Sequence, residues 1–283
     1  MPSAITAGRV REALEAATEA LAAAGVETPR LDAELLLAEA TGRDRAPLAA
    51  EPEAGVVPDA GRRFSEMVRR RIRREPVAYI LGRKGFRRIE LAVDRRALVP
   101  RPETELLVEI ALELEPRTAL DIGTGSGAVA LALADELPTC RVTATDTSKQ
   151  ALTLARENAE RLGINGRVRL EPGTVPEGRS FDLVLANLPY VRDDEWEGLA
   201  PEITRYEPRE ALVAGAEGIE VIATVAPAAV AALAPAGSLA FEVGAGQAGA
   251  VAELMLDLGF RQVEGRQDLA GVPRVVLGRM GSG

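Results

Sequence analysis

The sequence predicts an α/β fold in which a mostly parallel sheet is flanked by helices on both faces and preceded by a small helical bundle. Three observations carry this. After Glu115, short apolar runs alternate with amphipathic helical stretches. A glycine-rich turn follows the first of those runs and opens a helix. Residues 1–82 show helical spacing throughout.

A chain of 283 residues fits two domains, or one with an appendage. Hydrophobic residues make up 47% but aromatics only 3%, so Ala, Leu and Val must fill the core. A formal charge of −9 argues against a chain-wide nucleic-acid binder and leaves a local basic patch open. Cys140 is the only cysteine and there is no histidine, which removes intrachain disulfides, Cys- and His-based metal sites and Ser-His-Asp chemistry. No metal is expected. Residues 1–10 lack the apolar core of a signal peptide. The most apolar stretch, 221–236, is too short to span a bilayer and is broken by Pro227 and Pro235. The expectation is a soluble, cytoplasmic monomer with no membrane partner.

In the first region Val10, Leu14, Ala17 and Leu21 recur at helical spacing, with Gly25 as a stop. Thr28 and Pro29 supply an N-cap and a first-turn proline for a helix ending near Gly42. Further helices are expected over 58–74 and 77–81. Arg62, Arg63, Arg69, Arg70, Arg71, Arg73 and Arg74, then Arg83, Lys84, Arg87 and Arg88, form a basic cluster. It is either a surface for an acidic partner or RNA, or a solvated face whose arginine stems cover apolar neighbours. Extended pieces at 86–93 and 97–99, around Asp94-Arg95-Arg96, predict a hairpin linker over 83–99. Pro102 suits a helix start, and Glu103 and Glu105 its positive end.

From residue 100 onward the second domain reads as strands at 118–122, 141–145, 168–170, 181–186, 238–243, 261–263 and 274–277. Helices are expected at 128–137, 148–162, 217–232 and 247–258.

Asp121-Ile122-Gly123-Thr124-Gly125-Ser126-Gly127 follows the first strand. Its glycines permit a tight turn and close approach of a ligand. The spacing is not that of a dinucleotide turn, and no Gly-Lys-Ser/Thr follows to make a P-loop. Roughly 25 residues on, Asp146 ends the second strand, where a carboxylate accepts ribose hydroxyls. An acid at position 121 suits the cationic aminoacyl end of S-adenosylmethionine better than a pyrophosphate. The competing reading is a plain strand–turn–helix with Asp121 and Asp146 as caps.

The apolar run 181–186 ends in Asn187-Leu188-Pro189-Tyr190. Pro189 stops the strand, so Asn187 and Tyr190 fall in a loop at its C-terminal edge. An Asn side-chain oxygen and a backbone carbonyl can accept both N–H groups of a planar nitrogen, and an aromatic face can stack on its plane. With the glycine turn and Asp146, this predicts methyl transfer to such a nitrogen by positioning rather than by a strong base.

In these segments the chain resembles the peptide chain release factor N5-glutamine methyltransferases. The likeness runs almost end to end. It includes Glu75-Pro76-Val77-Ala78-Tyr79-Ile80-Leu81-Gly82, Val99-Pro100-Arg101-Pro102-Glu103-Thr104-Glu105 and the glycine turn. It continues through residues 187–190, Tyr206-Glu207-Pro208-Arg209-Glu210-Ala211-Leu212 and Glu242-Val243-Gly244. The resemblance implies a Rossmann-like class I methyltransferase domain over 100–283 with a seven-stranded, mostly parallel sheet. It implies a substrate-recognition bundle over 1–82, S-adenosylmethionine as cofactor, and the glutamine of a release factor's Gly-Gly-Gln segment as substrate.

By position, Asp121 and Gly123, Thr124, Gly125, Ser126 and Gly127 hold the methionine side of the cofactor. Asp146 holds the ribose. Asn187 meets both cofactor and substrate, Tyr190 stacks on the glutamine amide, and Leu188 and Pro189 complete the substrate site, the Leu188 carbonyl accepting an amide proton. The family's usual second residue in this loop is proline, and leucine does not fix φ. The loop 171–176 also departs from the family, so no adenine contact is expected there. Asn-Leu-Pro-Tyr is the form found in ribosomal RNA adenine dimethyltransferases. That leaves an RNA methyltransferase as one alternative, and a non-catalytic methyltransferase-like binding module as another.

Overall fold

The computed structural model describes residues 8–281 and resolves into two compact units. One comprises the described residues up to Gly82 together with Ala200–Tyr206. The other comprises Arg83–Leu199 and the chain from Glu207 onward. The first seven residues of the expected leaderless stretch lie outside the described residues.

The first unit holds α1 (Val10–Ala23), α2 (Pro29–Thr41), α3 (Arg45–Ala50), α4 (Pro58–Ile72) and α5 (Val77–Leu81). Apolar side chains at helical spacing meet in one core that includes Leu14, Leu21, Leu36, Leu37, Phe64 and Val68. Gly42 ends α2 in the left-handed conformation at φ +66°. Thr28 precedes α2 but does not cap it, because its hydroxyl instead donates to Asp32 Oδ1 at 2.9 Å.

The short helix over Pro201–Tyr206 completes this unit. Arg71 donates to Asp32 at 2.7 Å, and Glu202 bridges Arg71 at 2.7 Å and Arg74 at 2.6 Å. The arginine cluster is largely committed in this way. Arg62 pairs with Asp59, Arg69 with Glu66 and Arg70 with Glu75, while Arg63 donates to the Ala40 carbonyl.

The second unit opens with a hairpin, β1 (Arg83–Phe86) against β2 (Ile89–Ala92). Its turn is Arg87-Arg88, not the expected residues 94–96. Arg87 takes φ +52°, and three glutamates hold it there. Its amide donates to Glu105, and its guanidinium to Glu109 and Glu136. Tertiary charge replaces the usual Asn-Gly chemistry. Asp94 does make a turn, accepting the Arg96 amide at 3.0 Å, but that turn leads out of the hairpin. Residues 97–99 form no strand.

The chain then runs α6 (Glu105–Leu114), β3 (Thr118–Ile122), α7 (Ala128–Glu136), β4 (Arg141–Asp146), α8 (Lys149–Arg161), β5 (Val168–Pro172), β6 (Phe181–Ala186) and β7 (Val191–Arg192). After α9, the Pro201–Tyr206 helix of the first unit, follow β8 (Val213–Gly215), α10 (Glu220–Ala231), β9 (Leu233–Glu242), α11 (Ala248–Asp257), β10 (Gln262–Gln267) and β11 (Pro273–Arg279). The main sheet has seven strands in the order β10-β11-β9-β6-β3-β4-β5. Only β11 runs against the others. Alternate residues of the central strands, such as Leu120, Ile122, Val184, Leu239 and Phe241, pack on α10 and α11. Helices α6 and α7 cover the opposite face.

Pro227 lies inside α10, within the helix expected over 217–232. The helix passes through it, because burying Ile222, Val225, Ala226 and Ala229 outweighs the one backbone bond that proline removes. Among the described residues no helix is long and apolar enough to cross a membrane.

Arg71→Met should cost about 3 kcal/mol of unfolding free energy, since it strands the buried Asp32 carboxylate. Denaturant titration checks this. Arg62→Met, which removes an exposed pair, should cost well under about 1 kcal/mol.

Candidate active site

Strand register brings the site together. Ile122 of β3 lies beside Thr145 of β4 and Ala186 of β6, and Ala186 lies beside Phe241 of β9. The next residue of each strand, Gly123, Asp146, Asn187 and Glu242, therefore emerges at one C-terminal edge. Chain order reverses there, with β3 between β4 and β6. Such a switch point leaves a crevice. A cleft of about 280 Å³ occupies it.

Gly123, Gly125 and Gly127 have φ of +75°, +58° and +88°. Each would carry about 1–2 kcal/mol of strain with any side chain. Gly127 has a packing role as well, because a Cβ there would stand 2.8 Å from Leu131. Gly127 does not line the cleft, whereas Gly123, Thr124, Gly125 and Ser126 do.

Four of the turn's amides are already committed. Gly123 and Thr124 both donate to the Thr145 carbonyl at 2.9 Å, Gly125 donates to Asp146 Oδ2 at 2.9 Å, and Gly127 to the Thr124 carbonyl at 2.8 Å. A phosphate cradle needs such amides free. Two carboxylates flank the turn. Asp121 is fully buried, and burial pushes its carboxyl up to about 6 against the hydrogen bonds from Thr124 and Ala130. Asp146 is also pushed up by burial. Arg96 and Arg101 line the cleft but are paired, Arg96 with Asp94 and Glu157 and Arg101 with Glu207. This donor set rejects a pyrophosphate and suits a cation with a ribose, so the residues fit S-adenosylmethionine. Thr147, Ser148, Gly173 and Thr174 complete that wall, so the divergent loop 171–176 does reach the cleft.

On the other wall stand Asn187, Leu188 and Pro189. The Leu188 side chain is only 6% exposed and packs into the core under α10, 3.2 Å from where a Cβ on Gly123 would lie. Packing thus holds the backbone that proline's ring would otherwise restrict. Tyr190 is half-buried beside the cleft rather than lining it. Its amide donates to the Leu212 carbonyl at 3.0 Å, and its ring packs against Gly244, where a Cβ would stand 3.2 Å from Cδ2. Burial pushes its hydroxyl up to about 12.

Several supporting residues lie outside the predicted site. Gln247 Nε2 donates to the Tyr190 carbonyl at 2.8 Å, while its Oε1 accepts the Gly244 amide at 2.8 Å. Glu207 accepts the Val99 amide at 3.1 Å and Arg101 at 2.6 Å, clamping the segment that leads to Thr104. Asn158, buried on α8, spans the Ala92 backbone and the Ser126 carbonyl. Glu207 and Glu242 sit in segments that the family resemblance singled out. Gln247 and Asn158 are ordinary helix residues until the fold aims them.

The sheet order, the single reversed strand and this cleft define a class I, S-adenosylmethionine-dependent methyltransferase. Residues 102–217 match the family described as methyltransferase small domain, and residues 12–82 match the PrmC N-terminal domain. A methyltransferase from Pyrococcus furiosus shares the fold with a TM-score of 0.52 at 22% identity, covering 68% of this chain and 88% of its own. The hMettl16 catalytic domain shares it at 0.56 and 13% identity, covering 66% and 74%.

Curated relatives go further. Release factor glutamine methyltransferases from Koribacter versatilis and Geobacter sulfurreducens are 39% and 40% identical, over 95% and 96% of this chain and 98% and 97% of theirs. The one from Cereibacter sphaeroides is 41% identical over 96% of this chain and 99% of its own. The chain belongs to the release factor glutamine methyltransferase family.

Two outcomes are expected here. Asp121 is protonated below about 6 and then cannot pair with an ammonium group. S-adenosylmethionine affinity by calorimetry should therefore be flat above that pH and fall up to about tenfold per unit below it. Asp121→Asn should bind weakly with no such limb. Leu188→Pro should lower unfolding stability by about 1–3 kcal/mol through the cavity it leaves, with turnover retained.

Proposed function

We propose that this protein transfers the methyl group of S-adenosylmethionine to the side-chain nitrogen of the glutamine in the Gly-Gly-Gln segment of peptide chain release factors, supporting translation termination. One observation carries the reading. Asn187 emerges from β6 level with Gly123 and Asp146, and its Nδ2 donates to Thr104 at 3.0 Å. The amide's other end, Oδ1, is then the acceptor presented to a substrate.

A glutamine amide nitrogen is a weak nucleophile because its lone pair is delocalised into the carbonyl. Asn187 Oδ1 and the Leu188 carbonyl accept its two N–H groups. This fixes the nitrogen's plane and draws electron density onto it. Tyr190 contributes an aromatic face against that plane. When bound, S-adenosylmethionine supplies an electrophilic methyl on a sulfonium. Asp121 and the turn 123–126 hold its aminoacyl end, and Asp146 holds its ribose. As the nitrogen–carbon bond formed, the methyl's bond to sulfur would break, its electron pair staying on sulfur as a neutral thioether, and one N–H proton would leave to solvent. No strong base is required, and rate comes from alignment.

The first unit serves as the recognition domain for the protein substrate. Most of its clustered arginines are paired with acids of the same unit, so it offers little to an RNA backbone, and no stable nucleic-acid partner is proposed. The enzyme works as a cytoplasmic monomer, where release factors act.

The test offers labelled methyl donor with unmodified release factor and, separately, unmodified ribosomal RNA, and maps the site by mass spectrometry. Label is expected on the Gly-Gly-Gln glutamine side chain. Label on RNA adenine instead would overturn the reading. Asn187→Ala should lower turnover at least about a hundredfold while cofactor affinity changes less than about threefold.

A further inference from the structure

Glu242 closes β9, one register step beyond Phe241, and is 1% exposed. Its Oε2 has no hydrogen-bond partner among the described residues. The Thr104 hydroxyl hydrogen-bonds its carboxylate. Thr104 is itself buried, and its Oγ1 accepts Asn187 Nδ2 at 3.0 Å. Carboxylate, hydroxyl and amide thus form one line that ends at the cleft.

The donor inventory dictates the direction of that line. An ionised carboxylate only accepts, and a hydroxyl has one proton to give. Thr104 gives its proton to Glu242, so toward Asn187 it offers only lone pairs. Asn187 must answer with its NH2, and Oδ1 is left for the cleft. We propose that Glu242, acting through Thr104, is a positioning residue that sets which end of the Asn187 amide meets the substrate nitrogen. This rests on the reading of Asn187 as the acceptor for that nitrogen.

The line reverses when Glu242 gains a proton. It then donates to Thr104, whose own proton turns to Asn187 Oδ1, and the amide flips. An N–H now faces the substrate's N–H, and the pair repels. Burial pushes the Glu242 carboxyl up to about 7, and Glu103 pushes in the same direction. The Thr104 hydrogen bond, Arg274 and Arg101 oppose it. Tyr190 also faces Glu242, with its hydroxyl at about 12, and stays neutral throughout this range. A raised carboxyl value means that the ionised, competent form dominates above about 7 and is lost as pH falls through it.

Two measurements test this on the whole protein. In the first, the ¹⁵N–¹H side-chain resonances of Asn187, assigned by their loss in Asn187→Ala, are followed from about pH 5.5 to 8.5 without substrate. They should titrate with a midpoint near 7 and stay flat in Glu242→Gln and Thr104→Val.

In the second, kcat for release-factor methylation should fall up to about tenfold per pH unit below that midpoint, with KM moving less than about threefold. Thr104→Val, which keeps the shape and drops the hydroxyl, should lower kcat at least about tenfold at high pH. Thr104→Ser should recover most of that loss. Asn187 resonances that ignore pH in the unaltered protein would overturn the inference. So would a folded Glu242→Gln or Thr104→Val with unaltered kcat and pH profile. If the resonances titrate but no release factor is methylated, the functional reading fails while the role of Glu242 stands.

Discussion

The Thr145 carbonyl accepts two amides at once, those of Gly123 and Thr124, each at 2.9 Å. That shared acceptor ties the end of β3 to the end of β4, and much else depends on it. It forces the chain into a turn that only glycine tolerates at positions 123, 125 and 127. It leaves Gly125 to donate to Asp146, which fixes the second carboxylate above the cleft. Because these amides are consumed inside the protein, the turn lacks the anion-binding character of other glycine-rich loops. The preference for a cationic cofactor is therefore a property of backbone bookkeeping as much as of Asp121.

Around this frame the site is held by side chains that never need to touch a ligand. Gln247 fastens the backbone of Tyr190, Glu207 fastens the segment carrying Thr104, and Asn158 fastens the glycine turn to the hairpin. Each uses a charged or bidentate group to satisfy backbone atoms that would otherwise be buried without partners. Positioning chemistry requires this, since a catalyst without a strong base depends on small angles and distances.

The centre of the sheet was legible because β3 and β6 are mostly buried and read as largely apolar runs. β3 and β6 begin and end where the pattern places them. Asp121, Gly123 to Ser126, Asp146 and Asn187 share one cleft because strand ends in such a sheet converge. The hairpin turn was not legible, since Arg87 owes its conformation to Glu105, Glu109 and Glu136, none of which is local. Leu188 reads from sequence as a lost constraint, but the structure buries its side chain under α10. Gln247 and Asn158 act through partners tens of residues away, and no spacing rule reaches that far.

The first unit is not contiguous in the chain, for Ala200–Tyr206 belongs to it. On a ribosome, residues up to Gly82 emerge long before Glu202, the shared partner of Arg71 and Arg74, has been made. The nascent helices can gather their apolar core and pair Arg71 with Asp32, but the carboxylate that Arg71 and Arg74 share is made only later. The amino-terminal unit therefore gains its last ion-pair partner only after β3 to β6 have been synthesised. An enzyme that acts at the end of translation thus carries a first unit whose last carboxylate is made well past the middle of its own synthesis.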